Sequence, residues 1–76
     1  MNSAIGKKNF WYIEMLGEYK NKILFPFINE EHCVKYLYDL GAIEVTEDKR
    51  FDKNVRELEL EDETYYIKEY NEKDGL

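Results

Sequence analysis

An α+β fold is predicted for this chain, with element order β-β-α-β-β-β and one helix packed on a mostly antiparallel sheet. Three observations predict it. The run Glu57-Leu58-Glu59-Leu60-Glu61-Asp62-Glu63 alternates acidic and apolar residues with the two-residue period of a half-buried strand. Aromatic and branched residues fill Asn9–Leu16 and residues 22–28, on either side of a turn-like Gly17-Glu18-Tyr19-Lys20-Asn21. Between these and the C-terminal strands, Cys33, Val34, Leu37 and Leu40 recur at helical spacing.

In the first hairpin, a turn centred near Tyr19 puts Trp11, Ile13 and Met15 on one face with Ile23, Phe25 and Phe27. That face is wholly apolar and is expected to be core. Pro26 has no N–H for the ladder, so its strand belongs at a sheet edge or stops there. Asn29 is a good helix N-cap, and Glu30 and Glu31 suit the positive end of the helix dipole. The helix is expected to reach about Leu40, with Gly41 as the left-handed residue past its end. Cys33, Val34, Leu37 and Leu40 would face the sheet, flanked by Tyr36 and Tyr38.

Residues 42–46 read as a short strand with Ile43 and Val45 inward and Glu44 and Thr46 outward. The charged segment 47–54 reads as a solvated loop that Phe51 clips onto the core. A final hairpin turning at Asp62-Glu63 pairs Leu60 with Tyr65 and Leu58 with Ile67 on one face. Glu59 then meets Tyr66, and Glu57 meets Lys68, on the other. Asp-Glu without Gly is poor chemistry for a two-residue turn, so a four-residue loop is expected. The whole of 1–76 is read as one small domain with mobile ends near 1–8 and 71–76.

A chain of 76 residues buries only about 60% of the surface its unfolded form exposes. An aromatic content of 16% offsets part of that shortage, and a homodimer would relieve the rest. No apolar run approaches the roughly 18 residues of a membrane helix. The N-terminal lysines are not followed by the apolar stretch of a secretory signal, and Cys33 is the only cysteine. These features suit a cytoplasmic protein.

The net charge of −6 is unevenly placed. Residues 1–38 carry five Lys and four Glu, whereas residues 39–76 carry thirteen acids against six bases. An acidic field repels nucleic acid and lipid headgroups and steers basic proteins inward. Direct nucleic-acid or membrane binding is therefore not expected.

Catalytic candidates are few. His32 and Cys33 are adjacent, and neighbours along a helix do not face each other, so they form a poor base–nucleophile pair. The four glycines build no phosphate loop, and one His with one Cys cannot complete a zinc site. The acidic runs lack the spacing of a calcium loop. No enzyme, cofactor or metal is expected.

The acidic strand is the remaining candidate. Glu57, Glu59 and Glu61 would stand roughly 6.6–6.8 Å apart along one face, extended by Asp62 and Glu63 through the turn and by Glu44, Glu47, Asp48, Asp52 and Glu69 at its borders. Acids on an outer strand face also keep a sheet soluble and discourage edge pairing. Confinement of the charge to one half favours a binding face, as do the neighbouring Tyr66 and Tyr70, which are typical interface anchors.

In size, acidity, tyrosine content and α+β pattern, with the Glu57–Glu63 run as its centre, the chain resembles small phage proteins that disable host machinery. Among these are DNA mimics that occupy the DNA-binding surfaces of histone-like HU proteins, restriction enzymes, repair glycosylases or CRISPR effectors. The resemblance implies an inhibitor acting in the host cytoplasm on a basic nucleic-acid-binding protein, with HU the favoured target. Two other classes fit the same residues. One is an immunity protein or regulator that blocks its target without imitating DNA; the other is an assembly subunit that dimerises through its aromatic sheet.

Overall fold

The computed structural model describes residues 9–71. The fold is α+β, with five antiparallel strands and one helix in the predicted order. The strands are β1 (Asn9–Leu16), β2 (Asn21–Phe27), β3 (Ile43–Glu44), β4 (Arg56–Leu60) and β5 (Glu63–Asn71), and the helix α1 is Glu30–Leu40. They lie in the sheet as β2-β1-β5-β4-β3, so the longest strands, β1 and β5, hold the centre. Pro26 sits on edge strand β2, where its missing N–H costs no internal ladder bond.

The helix ends follow the expected chemistry. The Asn29 side chain accepts the His32 N–H at 2.8 Å. Gly41, at φ 104°, donates to the Tyr38 carbonyl in a left-handed C-terminal turn. One face of α1 sets Cys33, Val34 and Leu37 on Ile13, Met15, Leu58, Tyr65 and Ile67 to form the core, with Ala42 beside them. Leu40, expected in that stripe, lies half-exposed at the helix end. Helix α1 covers one face, and among the described residues no α-helix lies on the other, where the Phe51 segment crosses β4.

The first hairpin departs from the expected register. Its loop spans four residues, closed by the Gly17 N–H donating to the Lys20 carbonyl at 2.9 Å. A Cβ at Gly17 would meet that same oxygen at 2.9 Å, which explains the glycine. The loop pairs Leu16 with Asn21 and Ile13 with Leu24, so Ile23 and Phe25 turn away from the helix. Phe25 is 63% exposed rather than core. One extra β2 residue, between the Ile13–Leu24 and Trp11–Phe27 pairs, then restores Phe27 to the inner face.

The last hairpin keeps its predicted faces but shifts by two residues. Leu60 pairs with Glu63, Leu58 with Tyr65 and Glu57 with Tyr66. The turn is the two-residue Glu61-Asp62, made possible by Glu61 at φ 55°. Strand β3 is reversed: Glu44 pairs with inward Leu58, leaving Ile43 outward and 73% exposed, with Val45 half-buried beyond the strand. Phe51 does not reach the core; it is 89% exposed. Of the mobile ends predicted near 1–8 and 71–76, residues 1–8 and 72–76 lie outside the described residues, whereas Asn71 is not a loose end but closes β5.

Candidate protein-binding surfaces

The expected ladder of three parallel carboxylates is not formed. Glu57 is on the outer face, as its parity requires, yet it is 6% exposed because residues 50–55 pass over it. Its Oε1 accepts the Phe51 backbone N–H at 3.0 Å, which makes it an anchor for that segment. Glu59 remains exposed on the same face, and Glu61 and Asp62 form the exposed turn. Glu63 falls on the opposite face, where it accepts a hydrogen bond from the Tyr65 hydroxyl. The Glu63 hydrogen bond and burial push the Tyr65 phenol up to about 12, burial contributing most.

Glu44 is the least available of the expected border carboxylates. Arg56 grips both its oxygens, Nε donating to Oε2 and Nη2 to Oε1 at 3.2 Å. The Tyr38 hydroxyl donates to the same Oε1 at 2.9 Å, and Arg50 Nη2 lies 3.7 Å from Oε2. Arg56 Nη1 also sits 3.7 Å from Glu30 and 3.6 Å from Glu31, at the start of α1. The Arg56 hydrogen bond holds the Glu44 carboxyl below its ordinary value, against the opposing effect of burial. This network clamps β3, β4 and the helix N-terminus together and is structural in character.

The other predicted residues scatter. Glu47 and Asp48 lie on an exposed 3-10 turn, Glu47–Lys49. Asp52 accepts the Asn54 N–H at 2.9 Å, and Glu69 pairs with Trp11 at the end of the sheet away from the Glu61-Asp62 turn. Tyr66 lies half-buried on the open face, its phenol raised by burial first and by the Glu57 and Glu14 charges next. Tyr70 stacks on Phe10 with ring centres 4.7 Å apart.

Two surfaces emerge. At one end of the sheet, the Glu61-Asp62 turn and the loop after β1 flank a groove of about 580 Å³. Glu18, Glu61, Asp62 and Glu63 line it together with Tyr19, Lys20 and Leu40. Helix α1 ends here with no basic residue in its last turn, so its negative dipole end adds to the carboxylates. Among the described residues, Glu18, Glu59, Glu61 and Asp62 take part in no ion pair. Glu18 was not predicted as a site residue; only the antiparallel pairing of β1 with β5 brings its loop beside the final turn.

The second surface is the open sheet face, where Phe10, Tyr12, Ile23, Phe25 and Tyr70 line a hollow. Neither His32 nor Cys33 lines either place. The Cys33 thiol is pushed up to about 11, chiefly by burial, so it is not a thiolate at neutral pH. No group of three or more His, Cys, Asp or Glu side chains gathers in metal-binding geometry among the described residues. No helix among them is long and apolar enough to cross a membrane.

This architecture defines the chain as a small α+β protein with one helix on a five-stranded antiparallel sheet. No family model matches it, and no curated protein or solved structure matches it either.

Proposed function

We propose that the protein works by binding rather than by catalysis, as an acidic inhibitor of a basic, nucleic-acid-binding protein. The observation that carries this is the cluster of uncompensated carboxylates at the β4–β5 end, Glu61 and Asp62 beside Glu18, with Glu59 close by in sequence. Each offers a charge-assisted acceptor to a partner's Lys or Arg, and the end of α1 adds negative potential. Exposed Tyr19 supplies an apolar, amphipathic contact beside the charges.

The finer reading is DNA mimicry, with these carboxylates standing where phosphates would sit and a histone-like HU protein as target. The direct test starts from HU bound to a labelled DNA duplex. The wild-type chain is expected to release the duplex, and the triple variant Glu59→Lys, Glu61→Lys, Asp62→Lys is not. An undisturbed HU–duplex complex excludes HU as the target. A partner that binds the chain and DNA together would exclude mimicry and leave an immunity-type inhibitor. The assembly-subunit reading is favoured by a different observation, the aromatic sheet face on which no α-helix lies among the described residues.

A further inference from the structure

We propose that the open face of the sheet is a self-complementary interface through which two copies of this chain associate. Phe10 lies at the middle of three aligned rings from three neighbouring strands, 5.9 Å from Phe25 and 4.7 Å from Tyr70. With Ile23 and Tyr12 these rings line a hollow of about 370 Å³. A second hollow of about 380 Å³ lies further along the same face, where exposed Phe51 stands beside Leu16, Val55 and Tyr66. Between the two hollows, Lys68 Nζ meets Glu14 Oε1 at 2.7 Å.

Charge selects the occupant. The lane along β1 and β5 carries one acid and one base, already paired, with Asp52 and Glu59 at its β4 border and Glu57 buried beneath, in a chain of net charge −6. The stronger attraction for a basic partner lies at the Glu61-Asp62 end, whereas the complement of one acid beside one base is the same pair on a second copy. A second copy fits. A two-fold axis in the interface plane, beside the Glu14–Lys68 pair, brings each Lys68 to the other copy's Glu14. An axis running diagonally to the strands also places each Phe51 over the other copy's aromatic hollow, with the strands crossing steeply.

The area is adequate. Strands β2, β1, β5 and β4 hold 7, 8, 9 and 5 residues; at roughly 4.8 by 3.4 Å per residue, with the Phe51 segment forming the surface over β4, they give a flat footprint of about 470 Å². Side-chain relief brings that near the roughly 600 Å² per partner at the small end of stable interfaces. The inference does not rest on the proposed inhibitor role, and salt separates the two. Two −6 chains repel, so added salt strengthens their association, whereas it weakens the grip of carboxylates on a basic partner.

The test is sedimentation equilibrium of the full chain from about 1 to about 500 µM, at about 50 and about 500 mM salt. The wild type is expected to move from one-chain to two-chain mass with concentration, more readily at high salt. Phe51→Ser and Phe25→Ser alter exposed side chains, so the fold is kept, and each should weaken association at least about tenfold, equivalent to about 1.4 kcal/mol. Lys68→Glu should abolish it, and adding Glu14→Lys should restore it. One-chain mass under every condition overturns the proposal, as does unchanged dimerisation of both Phe variants.

Discussion

The Glu57 carboxylate accepts the Phe51 backbone N–H at 3.0 Å. The residue at the head of the acidic strand is therefore spent on holding residues 50–55 across the outer face, not on display to a partner. Its burial at 6% exposure makes that hydrogen bond consequential, because an unsatisfied buried acceptor or donor is costly.

Replacing Glu57 with Ala is expected to destabilise the fold by about 1–3 kcal/mol and to speed amide exchange at Phe51. Glu57→Gln keeps an acceptor oxygen and should lose much less. Urea unfolding with site-resolved exchange checks this. Equal losses for both variants would mean that the carboxylate's charge, not its acceptor role, matters.

Glu61 occupies the left-handed region at φ 55°, where a side chain costs roughly 1–2 kcal/mol relative to glycine. Glu61→Gly is expected to raise the unfolding midpoint by a comparable free energy while removing one carboxylate from the binding end. A loss of stability would show that the Glu61 side chain contributes more to the turn than its strain costs.

Acid sensitivity follows from Glu44. The Arg56 hydrogen bond lowers its carboxyl from the ordinary 4.5, so folding favours the ionised form. The corresponding stability is present above pH 4.5 and is lost as pH falls through the lower folded value. Glu44→Gln should cost about 1–3 kcal/mol near neutral pH, since Arg56 loses a charged partner. The variant's stability should also fall less steeply below pH 4.5 than the wild type's. Parallel pH profiles would contradict this.

Alkaline sensitivity has the opposite sign. Tyr65 is raised from 10.0 to about 12, so folding favours its neutral form. That stability is present below pH 10 and disappears as pH rises through about 12. Tyr65→Phe should flatten the stability profile across this window, read by denaturation at successive pH values. A slope equal to the wild type's would remove Tyr65 as a cause.

The features legible in the sequence were local ones. Asn29 and Gly41 marked the helix ends because capping chemistry acts within one turn. The two-residue period of β4 and β5 fixed their faces, since a slip of two residues leaves parity intact. Long-range relationships were not legible. The faces of Ile23 and Phe25 depended on loop length and on an extra residue near Pro26. The orientation of Glu44 depended on pairing with β4 and on Arg56, twelve residues away. Among the candidate residues, Glu61 and Asp62 are exposed as expected. Glu57 is lost to a loop whose path no period announces.

Capture from bacterial lysate tests the account most directly, comparing the immobilised wild-type chain with its Glu59→Lys, Glu61→Lys, Asp62→Lys variant at low and high salt. Basic nucleic-acid-binding proteins are expected on the wild type at low salt, with release at high salt and none on the variant. Equal capture by the variant, or one salt-resistant partner without basic character, would contradict it.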